Sequence, residues 1–182
     1  MKTYFQLRDD MTSKDRWHLG VVQDRGGAEP VLGAGERYDG DEPLVVDVDT
    51  PGCVLEFSLT SFGIPIASGA VAKVVSSIAG DDVQCIPIEI PGQRDMFVLN
   101  AIRVIHCLDE EHSEYAKWTK KDHRADLVGQ YRHVTKLVVD RGVIPDDAHF
   151  FQIGGWVSLI VSCELKMALE SLGARGAVFS KV

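Results

Sequence analysis

The feature that most restricts the fold of this chain is a long series of short apolar or β-branched runs with little helical periodicity between them. Segments rich in glycine, proline and aspartate separate the runs, as expected of strands joined by turns. Strands in series with few helices favour an α+β fold, with a mixed or largely antiparallel sheet and two short helices packed on it. The runs lie at residues 3–8, 44–48, 53–57, 84–90, 97–108, 131–139, 149–153 and 177–182.

Local residue chemistry adds detail to this series of strands. The turn sequence Asp-Thr-Pro-Gly at 49–52 predicts that the runs on either side of it pair with each other. Pro87 has no backbone N–H to donate, so it predicts an edge strand or a bulge for the run 84–90. The polar segment 109–126 is expected to be helical or irregular.

Two segments carry the apolar spacing of an amphipathic helix, and each begins at a serine that can cap it. After Ser68 the apolar residues are Val71, Val74, Val75 and Ile78. After Ser162 they are Leu165, Ala168, Leu169 and Leu172. A glycine and a strand-like run follow each helix, so 68–90 and 162–182 are either two related units or two uses of a common pattern. We expect both stripes to pack on one sheet, with Leu169 buried.

The whole chain, 1–182, is expected to form a single domain. Its 182 residues suit one core, and a composition of 45% apolar and 25% charged residues is typical of a globular protein. The sequence becomes charged at Arg8 before an apolar segment can form, which argues against a secretory signal. No apolar run approaches the roughly 20 residues of a membrane span. We therefore expect a cytoplasmic protein.

The four cysteines are far apart and form no Cys-x-x-Cys motif. Each lies among apolar residues, which predicts free thiols buried as small hydrophobic side chains. They are Cys53, Cys85, Cys107 and Cys163.

The formal net charge of −8 restricts the class of partner. An acidic protein is repelled by nucleic acid and by anionic membranes, so neither is expected as a partner. The charge suits a basic partner protein, and it would equally serve solubility alone.

Motifs of the common enzyme classes are missing from the sequence. It contains no P-loop, no dinucleotide-binding glycine motif after a strand, no His-Glu-x-x-His and no Gly-x-Ser-x-Gly. We therefore expect neither enzymatic activity nor a cofactor. One alternative is a small enzyme in which the fold brings Cys107, His133 and Asp109 together. Another is a ligand-sensing adaptor domain, which would contain a large apolar pocket.

The densest group of potential catalytic or metal-binding side chains surrounds Cys107. His106 and Cys107 are neighbours on a predicted strand, so they point to opposite faces and do not form a nucleophile–base pair. Asp109, Glu111 and His112 lack a second histidine at the spacing of a structural zinc site. No metal site is therefore expected here.

The predicted partner-binding surface is the densest run of carboxylates, which lies close to an aromatic residue in a polar segment. Carboxylates speed the encounter with a basic partner, and a desolvated aromatic ring slows dissociation. The alternatives are a solvated face for the carboxylates and core packing for the ring. The predicted residues are Asp109, Glu110, Glu111, Glu114 and Trp118.

Several segments, in the same order along the chain, carry a resemblance to a known family. They lie at residues 17–20, 83–88, 104–113, 148–153, 160–166 and 176–179. Together they resemble the immunity protein 11 family of bacterial polymorphic toxin systems. The resemblance implies a protein that is made beside a cognate toxin, stays in the producing cell and neutralises the toxin by binding it. It implies no catalytic residue and identifies no toxin-facing surface.

Overall fold

The computed structural model describes residues 2–182 and contains thirteen strands and two α-helices. The strands are β1 (Tyr4–Asp9), β2 (His18–Gln23), β3 (Leu44–Thr50), β4 (Phe57–Leu59), β5 (Pro65–Ser68), β6 (Val83–Glu89), β7 (Met96–Ala101), β8 (Val104–Ile105), β9 (Glu114–Lys117), β10 (Tyr131–Lys136), β11 (Phe150–Ile153), β12 (Leu159–Ser162) and β13 (Ala177–Lys181). The helices are α1 (Gly69–Ala79) and α2 (Cys163–Leu172), and two 3-10 turns lie at Gly80–Asp82 and Ala125–Leu127. The predicted α+β class is confirmed.

The strands form two large mixed sheets and one hairpin. One sheet has six strands in the order β2-β3-β6-β7-β5-β4, and the other has five in the order β13-β1-β12-β11-β8. Strands β3 and β6 are parallel, as are β8 and β11, and the other pairs in both sheets are antiparallel. Strands β9 and β10 form a separate antiparallel hairpin.

Both helices begin at the serines that the sequence predicts. The Ser68 hydroxyl accepts a hydrogen bond from Val71 N over 3.4 Å, and the Ser162 hydroxyl accepts one from Leu165 N over 3.2 Å. Each bond satisfies one of the amides that a helix N-terminus leaves unpaired. Helix α1 follows β5 of the six-stranded sheet, whereas α2 follows β12 of the five-stranded sheet.

The two helices share one core with strands from both sheets, and they also contact each other. The expectation that both pack on one sheet is wrong, because α1 contacts β5, β6 and β7 of the six-stranded sheet and α2 contacts β1 and β12 of the five-stranded sheet. Each sheet is also buried on the face that points away from this shared core. Alternate residues of β7 belong to the shared core and to a second hydrophobic cluster, and alternate residues of β12 belong to the shared core and to a third. The shared core includes Phe57, Val71, Val75, Leu99, Phe150, Val161, Leu165 and Leu169.

Buried ionic contacts connect the two sheets at two places. Asp82, only 2% exposed, forms an ion pair with Arg103 Nε over 2.5 Å and accepts a hydrogen bond from His149 N. Asp9, at the end of β1, accepts hydrogen bonds from Arg16 and from the backbone N–H of Leu59 in β4. Buried carboxylates of this kind require such partners.

Two local predictions are wrong. The run 53–57 does not pair with 44–48, because β3 lies between β2 and β6 and β4 begins only at Phe57. Pro87 lies in an interior strand that pairs regularly with β7. On the β3 side, only the two residues after Pro87 pair with β3. The N–H that Pro87 lacks is therefore not needed for the hydrogen bonds between β6 and β3.

The polar segment 109–126 differs from its prediction because it contains β9, which forms the hairpin with β10. The prediction of free thiols is confirmed for all four cysteines. Their expected burial holds fully for Cys107, whereas Cys53 is exposed beside Arg175 and the other two are half-buried. Within residues 2–182, neither helix has the length and apolar character needed to cross a membrane.

Candidate partner-binding surfaces

The predicted surface is built on the β9–β10 hairpin and on the turn that leads into it. The hairpin pairs with neither large sheet. At its base, Leu108 bridges to Val139 and the backbone N–H of Asp109 donates to Val138 O. The acidic residues therefore lie where the chain leaves the core and enters the hairpin.

Asp109 organises the turn. Its carboxylate accepts hydrogen bonds from the backbone N–H groups of Glu111 over 3.0 Å and of His112 over 3.1 Å. It also lies 2.8 Å from His112 Nδ1, and this contact is the main cause of a lowered Asp109 pKa. Asp109 thus shapes the backbone of the acidic segment.

Glu110 is held against the hairpin by three side chains. Its carboxylate accepts hydrogen bonds from Lys117 Nζ over 2.5 Å, from Tyr131 OH over 2.6 Å and from Tyr115 OH over 2.9 Å. These hydrogen bonds lower the Glu110 pKa to about 2, and the bond from Lys117 contributes most. The two tyrosine rings meet edge to face with centroids 5.4 Å apart. Glu110 therefore connects the turn to both strands of the hairpin.

Glu111 and Glu114 are the acidic residues that remain open to a partner. Both are exposed, and within residues 2–182 neither side chain has a hydrogen-bond or ion-pair partner. The predicted run of four carboxylates therefore divides into two that stabilise the turn and hairpin and two that face solvent.

Trp118 follows β9 and is half-buried. Its ring lies 5.1 Å from the guanidinium carbon of Arg132, at a distance typical of a cation–π contact, and meets His123 edge to face. Its backbone N–H donates to Gln130 O, which anchors the residue to the start of β10. Trp118 therefore belongs to the hairpin surface and not to any of the three core clusters.

The structure does not assemble the alternative catalytic site. Burial raises the Cys107 pKa to about 11, the opposite of what a nucleophilic thiol requires. In the described part of the chain, no hydrogen bond joins the Cys107 thiol to His133 or Asp109, and His133 is exposed on the hairpin. Nor do residues 2–182 contain a group of three or more His, Cys, Asp or Glu side chains placed to hold a metal ion.

A groove of about 1020 Å³, which the sequence does not predict, is walled by strands of both large sheets. Residues of β1, β4 and β7 contribute to it. Three large apolar side chains that line it are mostly exposed, namely Met11 at 71%, Phe62 at 66% and Val157 at 73%. We call these three residues the groove rim. One feature of the sequence indicates the groove rim: Phe62 is a large aromatic residue within the turn sequence Thr-Ser-Phe-Gly.

The groove has the size that the adaptor hypothesis requires, but its walls are mixed in chemistry. Ion-paired Asp9 and Arg16 lie in one wall, and the amide of Gln6 donates to the hydroxyl of Ser158 in another part. The molecule therefore carries two candidate surfaces, the hairpin surface and this groove.

Comparison with known proteins identifies the family. The Immunity protein family (Imm11) matches residues 20–182, which include every helix and all strands except β1 and the first two residues of β2. No curated protein matches the chain. Since the match covers nearly the whole sequence, the chain belongs to the Immunity protein family (Imm11).

Proposed function

We propose that this protein binds and neutralises a cognate bacterial toxin, and that it acts by forming a complex and not by catalysis. The observation that carries the proposal is the family match over residues 20–182. The raised pKa of the buried Cys107 thiol supports the non-catalytic mode of action.

The acidic character of the protein favours a toxin with a basic surface. A net charge of −8 would speed the approach of such a partner. It would equally oppose binding to nucleic acid or anionic lipid, which we do not propose as partners.

We propose the hairpin surface as one toxin contact, with Asp109, Glu110, Glu111, Glu114 and Trp118 as its residues. Glu111 and Glu114 would attract the basic partner, because both are exposed and neither side chain is paired with another of the described residues. Asp109 and Glu110 would hold the turn and the hairpin in position through the bonds described above. Trp118 would provide the aromatic contact that slows dissociation.

We propose the cytoplasm of the producing cell as the place of action. The four free thiols support this proposal, and one of them, Cys53, is exposed. Exposed unpaired thiols persist in reducing compartments, whereas secreted proteins usually pair them.

The test uses an inactive variant of the toxin domain encoded beside this chain. Wild-type protein should bind it and, when co-expressed with active toxin, restore growth. Absence of both effects would contradict the proposed function.

Kinetic measurements then test the hairpin contact. Glu111→Gln with Glu114→Gln should lower the association rate and flatten its dependence on salt. Trp118→Ala should mainly raise the dissociation rate. Glu29→Gln with Asp47→Asn is the charge-matched control, since both residues are exposed and lie outside the hairpin. If both hairpin variants bind with the kinetics of the control, the toxin does not use this surface.

A further inference from the structure

The groove rim gathers three unusually exposed apolar side chains around one opening. Single exposed apolar residues are common on protein surfaces and need no explanation. Met11, Phe62 and Val157, however, come from three separate segments of the chain, and each is at least 66% exposed while lining the same groove. Exposed apolar groups clustered at a concave site are typical of surfaces that a partner covers.

The buried ion pair in the groove wall, Asp9 with Arg16, indicates one feature of the occupant's chemistry. Arg16 already donates hydrogen bonds from all three guanidinium nitrogens, to Trp17 O, Asp10 O and the Asp9 carboxylate. Asp9 is buried as well, but among residues 2–182 its Oδ1 has no hydrogen-bond partner. The hydrogen-bonding capacity that this buried ion pair leaves unused is therefore that of an acceptor, which complements a cationic or N–H donor group.

Two features favour a protein segment as the occupant. A small ligand is mostly enclosed by its pocket and needs no exposed apolar rim outside it. A protruding segment would fill the groove while its flanking parts cover the rim. In addition, the loop between β11 and β12, which carries Val157 of the groove rim, lies against the β9–β10 hairpin at Tyr131. A Cβ placed at Gly155 would lie 3.6 Å from the Tyr131 ring, and one placed at Gly63 would lie 3.6 Å from Val157.

We propose that the groove between the two sheets receives a protruding segment of the toxin, one that carries an apolar side chain and, close to it, a lysine or arginine. The apolar side chain packs against the groove rim, and the cationic group lies on the side of Asp9. This inference rests on the proposed function and extends the toxin contact from the hairpin into the groove.

The experiment compares two sets of variants for binding to the inactive toxin domain. The rim variant combines Met11→Ser, Phe62→Ser and Val157→Ser. The matched control combines Met167→Ser and Val143→Ser, which replace side chains that are 60% and 52% exposed and lie outside the groove. Because all five side chains are exposed, both variants should melt as the wild type does.

We expect the rim variant to bind roughly 100-fold more weakly, mainly through faster dissociation, and the control to bind as the wild type does. Unchanged binding by the rim variant would overturn the inference while leaving the proposed function intact. If the wild type itself does not bind, both are wrong. A loss of self-association in the rim variant, with toxin binding unchanged, would mean that a second copy of this chain occupies the groove.

A crosslinking experiment tests the chemistry of the segment separately. Phe62 is replaced by p-benzoylphenylalanine, the complex is irradiated, and the attached toxin peptide is identified by mass spectrometry. The peptide should come from one continuous segment that contains an apolar residue next to a lysine or arginine. A peptide without a basic residue, or no toxin adduct from a complex that forms, would overturn the inference.

Discussion

Asp9 and Arg16 form an ion pair whose side chains are 8% and 4% exposed, in the wall of the groove between the sheets. Asp9 also accepts a hydrogen bond from Leu59 N, which belongs to the other sheet. Neither residue shows this role in the sequence, where Asp9 follows a strand and Arg16 lies in a polar turn. The ion pair is local, whereas the hydrogen bond from Leu59 N forms only when the fold brings β1 and β4 together.

The first prediction concerns this ion pair. Asp9→Ala leaves the Arg16 guanidinium buried without its counter-charge, and we expect a loss of about 3–5 kcal/mol in the free energy of unfolding. Urea denaturation measures the loss. Asp47→Ala is the control, because Asp47 is exposed on β3 and should change stability by no more than about 0.5 kcal/mol. Equal stability of the two variants would show that the pair is not structural.

The second prediction concerns the ionisation of Glu110. Its pKa is lowered from an ordinary value of 4.5 to about 2 by hydrogen bonds from Lys117, Tyr131 and Tyr115, in that order. A lowered pKa in the folded state means that the stabilisation is complete above about pH 4.5 and is lost as the pH falls through about 2. Lys117→Met should raise the titration midpoint of the Glu110 carboxyl carbon in an NMR titration.

Lys120→Met provides the control for that titration, because Lys120 is exposed and does not contact Glu110. It should leave the Glu110 midpoint near 2. A midpoint near 4.5 in the wild type would mean that the bonds between Glu110 and the hairpin do not persist in solution.

At the scale of elements, sequence periodicity predicts the helices and their caps, because local interactions determine them. The two helices and their serine caps are predicted because the cap and the apolar stripe lie within one short segment. Strand β9 is missed because its residues, Glu-Tyr-Ala-Lys, are mostly polar and half-buried, and its pairing partner lies in β10. The pairing of strands depends on distant segments, so the separation into two sheets is not visible in the runs themselves.

The two segments proposed as related units each contain a serine-capped helix followed by a strand. In the structure each is also preceded by a strand that ends at the capping serine, β5 in one case and β12 in the other. The strands that follow have different neighbours, since β6 pairs with β7 and β3 while β13 pairs with β1. Duplication of one unit therefore stays a prediction.

The third prediction concerns helix α2. Leu169 is 1% exposed in the core shared by both sheets, so Leu169→Ala should leave a cavity and cost about 2–5 kcal/mol. Met167→Ala is the control on the same helix, because Met167 is 60% exposed and should change little. The midpoint of urea unfolding measures both. A Leu169→Ala variant as stable as the control would contradict the burial of this helix face.

At the scale of the whole molecule, the sequence predicts the fold class and the free thiols, and its resemblance to the immunity proteins is confirmed. It does not predict the groove, because Met11, Phe62 and Val157 are far apart in the chain and meet only through the arrangement of the two sheets. The acidic run was visible as a cluster of charges. The engagement of Glu110 by Lys117 and two tyrosines was not, because it depends on the hairpin.

The last prediction is that residues 1–182 unfold as one domain although they form two large sheets. Both helices and strands of both sheets contribute to one core, and Asp82 and Asp9 connect the sheets through buried polar contacts. Disrupting either sheet therefore exposes part of the core of the other, which makes unfolding cooperative.

The measurement follows urea unfolding with two probes that report different parts of the molecule. Far-UV circular dichroism reports both sheets, whereas fluorescence of Trp17, isolated by Trp118→Phe and Trp156→Phe, reports the far face of the six-stranded sheet. The two curves should coincide in midpoint and slope, and Leu169→Ala should shift both by the same amount. Separate transitions would mean that the two sheets unfold independently, because the shared core would then not couple them.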